Sequence, residues 1–156
     1  MLFRSASMRV VAEDHFGEAL IDELIPYIDE NYRILDGREN RAIGGLSRGA
    51  GWAIHYGLTR WDLFGAFGAH SPAIFYNDGA KLEKWIAAIP PESWPQIYID
   101  IGDKDKEHGA TRLFGDLLTE YGLPHEWHLY AGVHTEDYWR AHVEEYLLWY
   151  GRAFER

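Results

Sequence analysis

The spacing of apolar positions along this chain changes several times, and each change marks an element. Phe16, Leu20, Ile21, Leu24, Ile25 and Ile28 recur at helical steps with acidic residues between them, which predicts an amphipathic helix over residues 16–31. Asp14 is placed to cap it, and Pro26, which lacks an N–H and crowds the carbonyl four residues back, predicts a bend in its second half. After a polar turn at 35–40, residues 42–46 read as a short buried strand that passes through Ser47 into a small-residue helix reaching about residue 57. Residues 63–69 predict a second buried strand, ending at His70-Ser71-Pro72, and a helix follows over 79–89 before Pro90, Pro91 and Pro95 interrupt the chain. Residues 96–101 (Gln-Ile-Tyr-Ile-Asp-Ile) are the clearest strand and run into the turn Gly102-Asp103-Lys104-Asp105. A helix over 111–121 is closed by Gly122 and Pro124, a last strand covers 126–130 and ends at Ala131-Gly132-Val133-His134, and an amphipathic helix over 138–154 closes the chain. Residues 1–15 show little pattern beyond Arg9-Val10-Val11, a candidate edge strand.

Strand and helix therefore alternate four times, which predicts one α/β domain over residues 1–156 with a mostly parallel sheet and helices on its faces. A chain of 156 residues with 47% hydrophobic residues can bury a substantial core. Its formal charge of -10 argues against nucleic acid and anionic membrane surfaces as partners, because both select a basic face. The absence of cysteine removes disulfides, thiolate zinc sites and a cysteine nucleophile together, leaving serine, histidine and carboxylates for any chemistry. No apolar run reaches the roughly 18 residues of a membrane span, and Met1-Leu2-Phe3-Arg4-Ser5 opens no signal-peptide core. These features predict a soluble chain, with a cytoplasmic location favoured.

The chemistry centres on Gly45-Leu46-Ser47-Arg48-Gly49, a G-x-S-x-G pattern at a strand-to-helix junction. Such a pattern alone also describes a glycine-rich turn holding a packing serine. Its context is more specific: ligands in a parallel α/β sheet bind outside the carboxyl ends of the strands, and reactive side chains follow three of them. Ser47 follows the first strand, Asp103 or Asp105 the third, and His134 the fourth, which is the chain order of an α/β-hydrolase triad. A serine hydroxyl is a weak nucleophile at neutral pH and needs an imidazole to accept its proton, here His134, with a carboxylate to orient that imidazole. The backbone N–H of Arg48, opening the helix, is placed to donate to an oxyanion. Spacing alone does not choose between the two aspartates.

Leu24-Ile25-Pro26-Tyr27-Ile28 with Asn31-Tyr32-Arg33, the serine motif, Gly102-Asp103-Lys104-Asp105 and Gly132-Val133-His134 together resemble the Putative esterase family of the α/β-hydrolase superfamily. That family includes feruloyl and acetyl-xylan esterases, S-formylglutathione hydrolase, enterochelin esterase and the mycolyltransferases. The resemblance extends from about residue 16 onward. It implies a serine esterase without a cofactor, its nucleophile on Ser47, its histidine on His134 and its acid on the second acidic position of the turn, Asp105. Many members carry Met where this chain has Arg48. The family also has several strands and a His-Gly-type oxyanion loop upstream of the segment resembling 16–33, so the resemblance implies a hydrolase fold truncated at its N-terminal side; His108-Gly109 follows the acid turn and does not match that loop.

Two expectations follow from that truncation. The activity is impaired, or the chain is a catalytically silent half-domain that binds or assembles. The strand at 42–46 exposes an edge covered either by residues 1–13 or by a second copy, which predicts a homo-oligomer. The implied substrate is a small-molecule or carbohydrate ester, including an ester of an aromatic acid. Leu46, His70 and Trp139 are candidates to line its pocket. The other tryptophans are read as core or interface, and His15, His55, His108 and His142 as surface or helix-face residues. His125 and His128, three apart, point to opposite sides of an extended segment, so no metal site is expected.

Overall fold

A computed structural model describes residues 15–155. A segmented helix precedes the sheet: α1 (His15–Glu18), a π-helical turn (Ala19–Leu24) and α2 (Ile25–Asn31). Then follow β1 (Ala42–Leu46), α3 (Arg48–Thr59), β2 (Ala66–His70), α4 (Tyr76–Gly79), α5 (Leu82–Ala88), β3 (Gln96–Gly102), α6 (His108–Glu120), β4 (Glu126–Tyr130) and α7 (Glu136–Ala153). All strand pairs are parallel, and the spatial order β1-β2-β3-β4 repeats the chain order.

That order decides where the helices lie. Crossovers between parallel strands are right-handed, so a sheet that grows in one direction receives each crossover helix on the same face. Ala50, Ile54 and Leu58 of α3, Leu82 and Ile86 of α5, and Phe114 and Leu118 of α6 share one core with Phe67, Ala69, Ile97 and Ile99. The helix after β4 lies on the opposite face. There Tyr146, Trp149 and Ala153 of α7 pack on Ala66 and Tyr98. Polar ties fix it: the Tyr98 hydroxyl donates to Glu145 at 2.8 Å and the Trp149 indole N–H to Glu126 at 2.9 Å.

The central strands β2 and β3 are buried almost throughout, whereas β1 and β4 are partly exposed, as edge strands are. Among the described residues, β1 pairs with β2 alone. The candidate strand at Arg9-Val10-Val11 and the proposed Asp14 cap lie outside the described residues.

The bend expected from Pro26 takes the form of the π turn immediately before α2, where the Ile25 N–H reaches back five residues to the Leu20 carbonyl. Widening the helix there relieves the clash between a proline ring and the carbonyl four residues earlier. The predicted apolar stripe is incompletely covered, with Phe16 and Leu24 exposed. The second strand begins later than its apolar run, because residues 63–65 form a turn after α3 in which the Leu63 and Phe64 N–H groups both return to the Arg60 carbonyl. The Arg38 guanidinium anchors that turn by donating to the carbonyls of Trp61, Phe64 and Ser93. The predicted helix at 79–89 is divided into α4 and α5.

Candidate active site

The parallel register brings the carboxyl ends of all four strands to one edge of the sheet, with Leu46 beside His70, His70 beside Asp100 and Gly102 beside Tyr130. The turns that leave these ends carry the reactive groups. Ser47 joins β1 to α3 with φ 53° and ψ -112°, a backbone conformation that residues with a Cβ rarely adopt. Its own backbone holds it there: the N–H donates to the His70 carbonyl at 3.0 Å, and the carbonyl accepts from Gly51 and Ala73, each at 3.1 Å. A Cβ on Gly45 would lie 2.3 Å from the backbone carbon of Gly49, so strand and helix meet there more closely than any side chain permits. Gly49 differs, since a Cβ at that position meets nothing within 4 Å.

His134 reaches the serine from the loop after β4. The Ser47 Oγ and His134 Nε2 are 2.8 Å apart, and His134 Nδ1 lies 2.8 Å from Asp105 Oδ2. A carboxylate only accepts, so the imidazole proton sits on Nδ1, Nε2 presents its lone pair, and the serine hydroxyl donates to it. The Asp105 side chain has no solvent exposure, and its second oxygen accepts the Glu107 backbone N–H at 2.9 Å. Asp103 has a different task. It is exposed, and its carboxylate accepts the Gly132 N–H at 2.9 Å, tying the acid turn to the histidine loop.

Arg48 is the first residue of α3, where an N–H has no intrahelical acceptor and the helix presents its positive end. Trp139 stands edge-on to His134, ring centroids 5.1 Å apart. Leu46, 43% exposed, lies immediately before the serine. His70 does not line an open pocket. It follows the phase of Ala66 and Gly68 rather than that of Phe67 and Ala69, so its ring turns under α7 and is only 2% exposed.

Beneath α7 lies a cluster that the sequence reading passed over. The Asp100 carboxylate, fully buried, accepts His70 Nδ1–H at 2.7 Å and the hydroxyls of Tyr138 and Tyr146 at 2.8 Å each, and Tyr150 meets His70 Nε2 at 3.0 Å. Burial pushes the Tyr138 and Tyr146 phenols far above their ordinary range and the Asp100 charge adds to it, so both remain protonated donors. Two signals pointed here: an aspartate within an otherwise apolar buried strand, and tyrosines at 138, 146 and 150 on one face of a helix.

Of the other histidines, His125 meets the Leu123 carbonyl, His128 stacks on Tyr98, and His55 pairs with Asp78. Among the described residues, no group of three or more His, Cys, Asp or Glu side chains is arranged to hold a metal ion. None of their helices is long and apolar enough to cross a membrane.

This parallel sheet, with a serine on a strained turn after one strand and a histidine and a carboxylate after later ones, has the architecture of an α/β-hydrolase fold. The chain belongs to the family described as Putative esterase, whose profile matches residues 6–150. It is 30% identical over 110 residues to an endo-1,4-beta-xylanase/feruloyl esterase of Xylanibacter ruminicola, a match covering 70% of this chain and 14% of that protein. Its fold is similar to that of a ferulic acid esterase, with a TM-score of 0.77 and 25% identity over 89% of this chain and 61% of the other. A ferulic acid esterase from Anaeromyces mucronatus, solved with ferulic acid, matches with a TM-score of 0.65 and 29% identity over 79% of this chain and 49% of its own. The chain thus spans less than two thirds of each of these relatives.

The contrast between the two motif glycines is testable by denaturant unfolding. Gly45→Ala, whose methyl meets backbone, should destabilise the fold by about 2 kcal/mol or more. Gly49→Ala, with open space and a better helix former, should be neutral or stabilising by up to about 1 kcal/mol.

Proposed function

We propose that this chain is a serine carboxylesterase in which Ser47 is the nucleophile, His134 the general base and acid, and Asp105 the residue that orients the imidazole. The observation that carries this reading is the line of two 2.8 Å hydrogen bonds from Ser47 through His134 to Asp105, with the serine held in a strained turn at a helix N-terminus. As Ser47 Oγ attacks the acyl carbon, its proton passes to His134 Nε2, and the buried Asp105 stabilises the imidazolium that forms. The oxyanion of the tetrahedral intermediate faces the Arg48 N–H. Collapse breaks the bond to the alcohol, which leaves with the proton from His134. A water then attacks the acyl-serine, giving its proton to the same nitrogen, and releases the acid and free Ser47.

For substrate, we propose an ester of an aromatic acid, including one borne on a carbohydrate. Both the Xylanibacter ruminicola relative and the Anaeromyces mucronatus structure are named for feruloyl or ferulic acid ester chemistry. Leu46 and Trp139 border the serine and the histidine and are the side chains proposed to meet the acyl group.

A second proposal concerns assembly, and one observation favours it. β1 has a strand neighbour on one side alone among the described residues, and Leu46 at its end is 43% exposed. A strand edge without a partner among the described residues is a template for pairing, and we propose that two copies associate through β1. Sedimentation equilibrium should then give twice the chain mass, and a single-chain mass at micromolar concentration would contradict it.

The catalytic roles are tested by hydrolysis of p-nitrophenyl acetate. Ser47→Ala should lower kcat by about a thousandfold or more, and Asp105→Asn by about a thousand- to ten-thousandfold. Asp103→Asn, which keeps an acceptor for the Gly132 N–H, should leave kcat near the wild-type value. Equal losses in the two aspartate variants would sink the assignment of Asp105.

A further inference from the structure

We propose that Asp100 is a positioning residue for the Ser47–His134–Asp105 line, acting through the hydroxyl of Tyr138; the inference rests on the catalytic reading above and extends it. The three reactive groups come from three separate strand ends, and their alignment depends on holding those ends together. Asp100 lies where they converge. It is on β3, whose continuation carries Asp105, and its side chain lies on the α7 face. Through His70 it grips the end of β2, and the His70 carbonyl in turn accepts the Ser47 backbone N–H at 3.0 Å. Through Tyr138 it grips the first turn of α7, four residues beyond His134.

The Tyr138 ring also supports the loop that presents His134. A Cβ on Gly132 would lie 2.5 Å from the Tyr138 Cδ2, so the ring is pressed against the backbone of that loop. The Gly132 carbonyl accepts the Lys104 N–H at 3.0 Å, joining the same loop to the acid turn. One buried carboxylate with three donors thus connects the exits of β2 and β3 and the loop after β4. A charge in this position is costly to bury unless each of its partners is present, which favours a single arrangement of the three elements.

Tyr146 supplies an internal control. It donates to the same Asp100 oxygen as Tyr138, at the same 2.8 Å, but lies two turns further along α7, where its ring stacks on His70 with centroids 3.7 Å apart. If Asp100 serves packing alone, removing either hydroxyl has the same consequence. If it positions the imidazole, Tyr138 matters to catalysis and Tyr146 does not.

The experiment compares Tyr138→Phe, Tyr146→Phe, Asp100→Asn and Ser47→Ala with the wild-type chain in p-nitrophenyl acetate hydrolysis, reading kcat and KM separately, and in denaturant unfolding. Tyr138→Phe should lower kcat by about ten- to a hundredfold with KM within about twofold, the scale that a small misplacement of a reacting group produces. Tyr146→Phe should unfold at lower denaturant yet keep kcat and KM. Asp100→Asn should show the Tyr138→Phe behaviour; a folded Asp100→Asn with wild-type kcat would overturn the proposal, as would equal kcat losses in the two tyrosine variants. Activity that survives in Ser47→Ala identifies failure of the catalytic reading instead.

Discussion

The hydrogen bond between His134 and the buried Asp105 is the constraint on which the site geometry depends. A carboxylate removed from water costs several kcal/mol unless its oxygens are matched by donors. Here one oxygen takes the imidazole N–H and the other the Glu107 backbone N–H. This fixes the imidazole tautomer, leaves Nε2 as an acceptor, and sets the direction from which Ser47 can give up its proton. Asp103, two residues earlier, has ready access to water and closes a turn. Two carboxylates of the same chemical type are thereby separated into roles by burial alone.

The sheet topology makes that bond possible. Strands added in one direction place α3, α5 and α6 on one face and leave the other to α7. The turns that carry Ser47, Asp105 and His134 stand at the shared carboxyl edge, and α7 starts directly after the His134 loop. The final helix therefore closes the sheet and is also the support of His134. Its tyrosines descend to Asp100, so the packing under α7 has a polar centre there.

Much of this was legible in the sequence, for physical reasons that differ between elements. The strands β1 to β3 announced themselves as short, largely apolar runs, and the serine turn by glycines, one of which is required by direct backbone contact at Gly45. Ser47, His134 and an aspartate at 103 or 105 followed from the order of strand ends, and the family resemblance singled out Asp105. Pro26 foretold an irregularity, although not that it would be a π turn. The reading of His70 failed because proximity to a strand end does not say which face a side chain takes. A one-residue difference in phase turns it from the mouth of the site to the underside of α7. The Asp100 cluster was missed because its members are distant in the chain and each, taken singly, resembles an ordinary strand or helix residue; the partnership exists only once β2, β3 and α7 are stacked.

The most direct test of the account is peptide mass spectrometry after incubating the folded chain with a fluorophosphonate, which phosphonylates a serine activated by a neighbouring imidazole. The account predicts one adduct per chain, on the peptide that contains Ser47, and none when His134 is replaced by alanine. A folded chain that carries no adduct at Ser47 would contradict it.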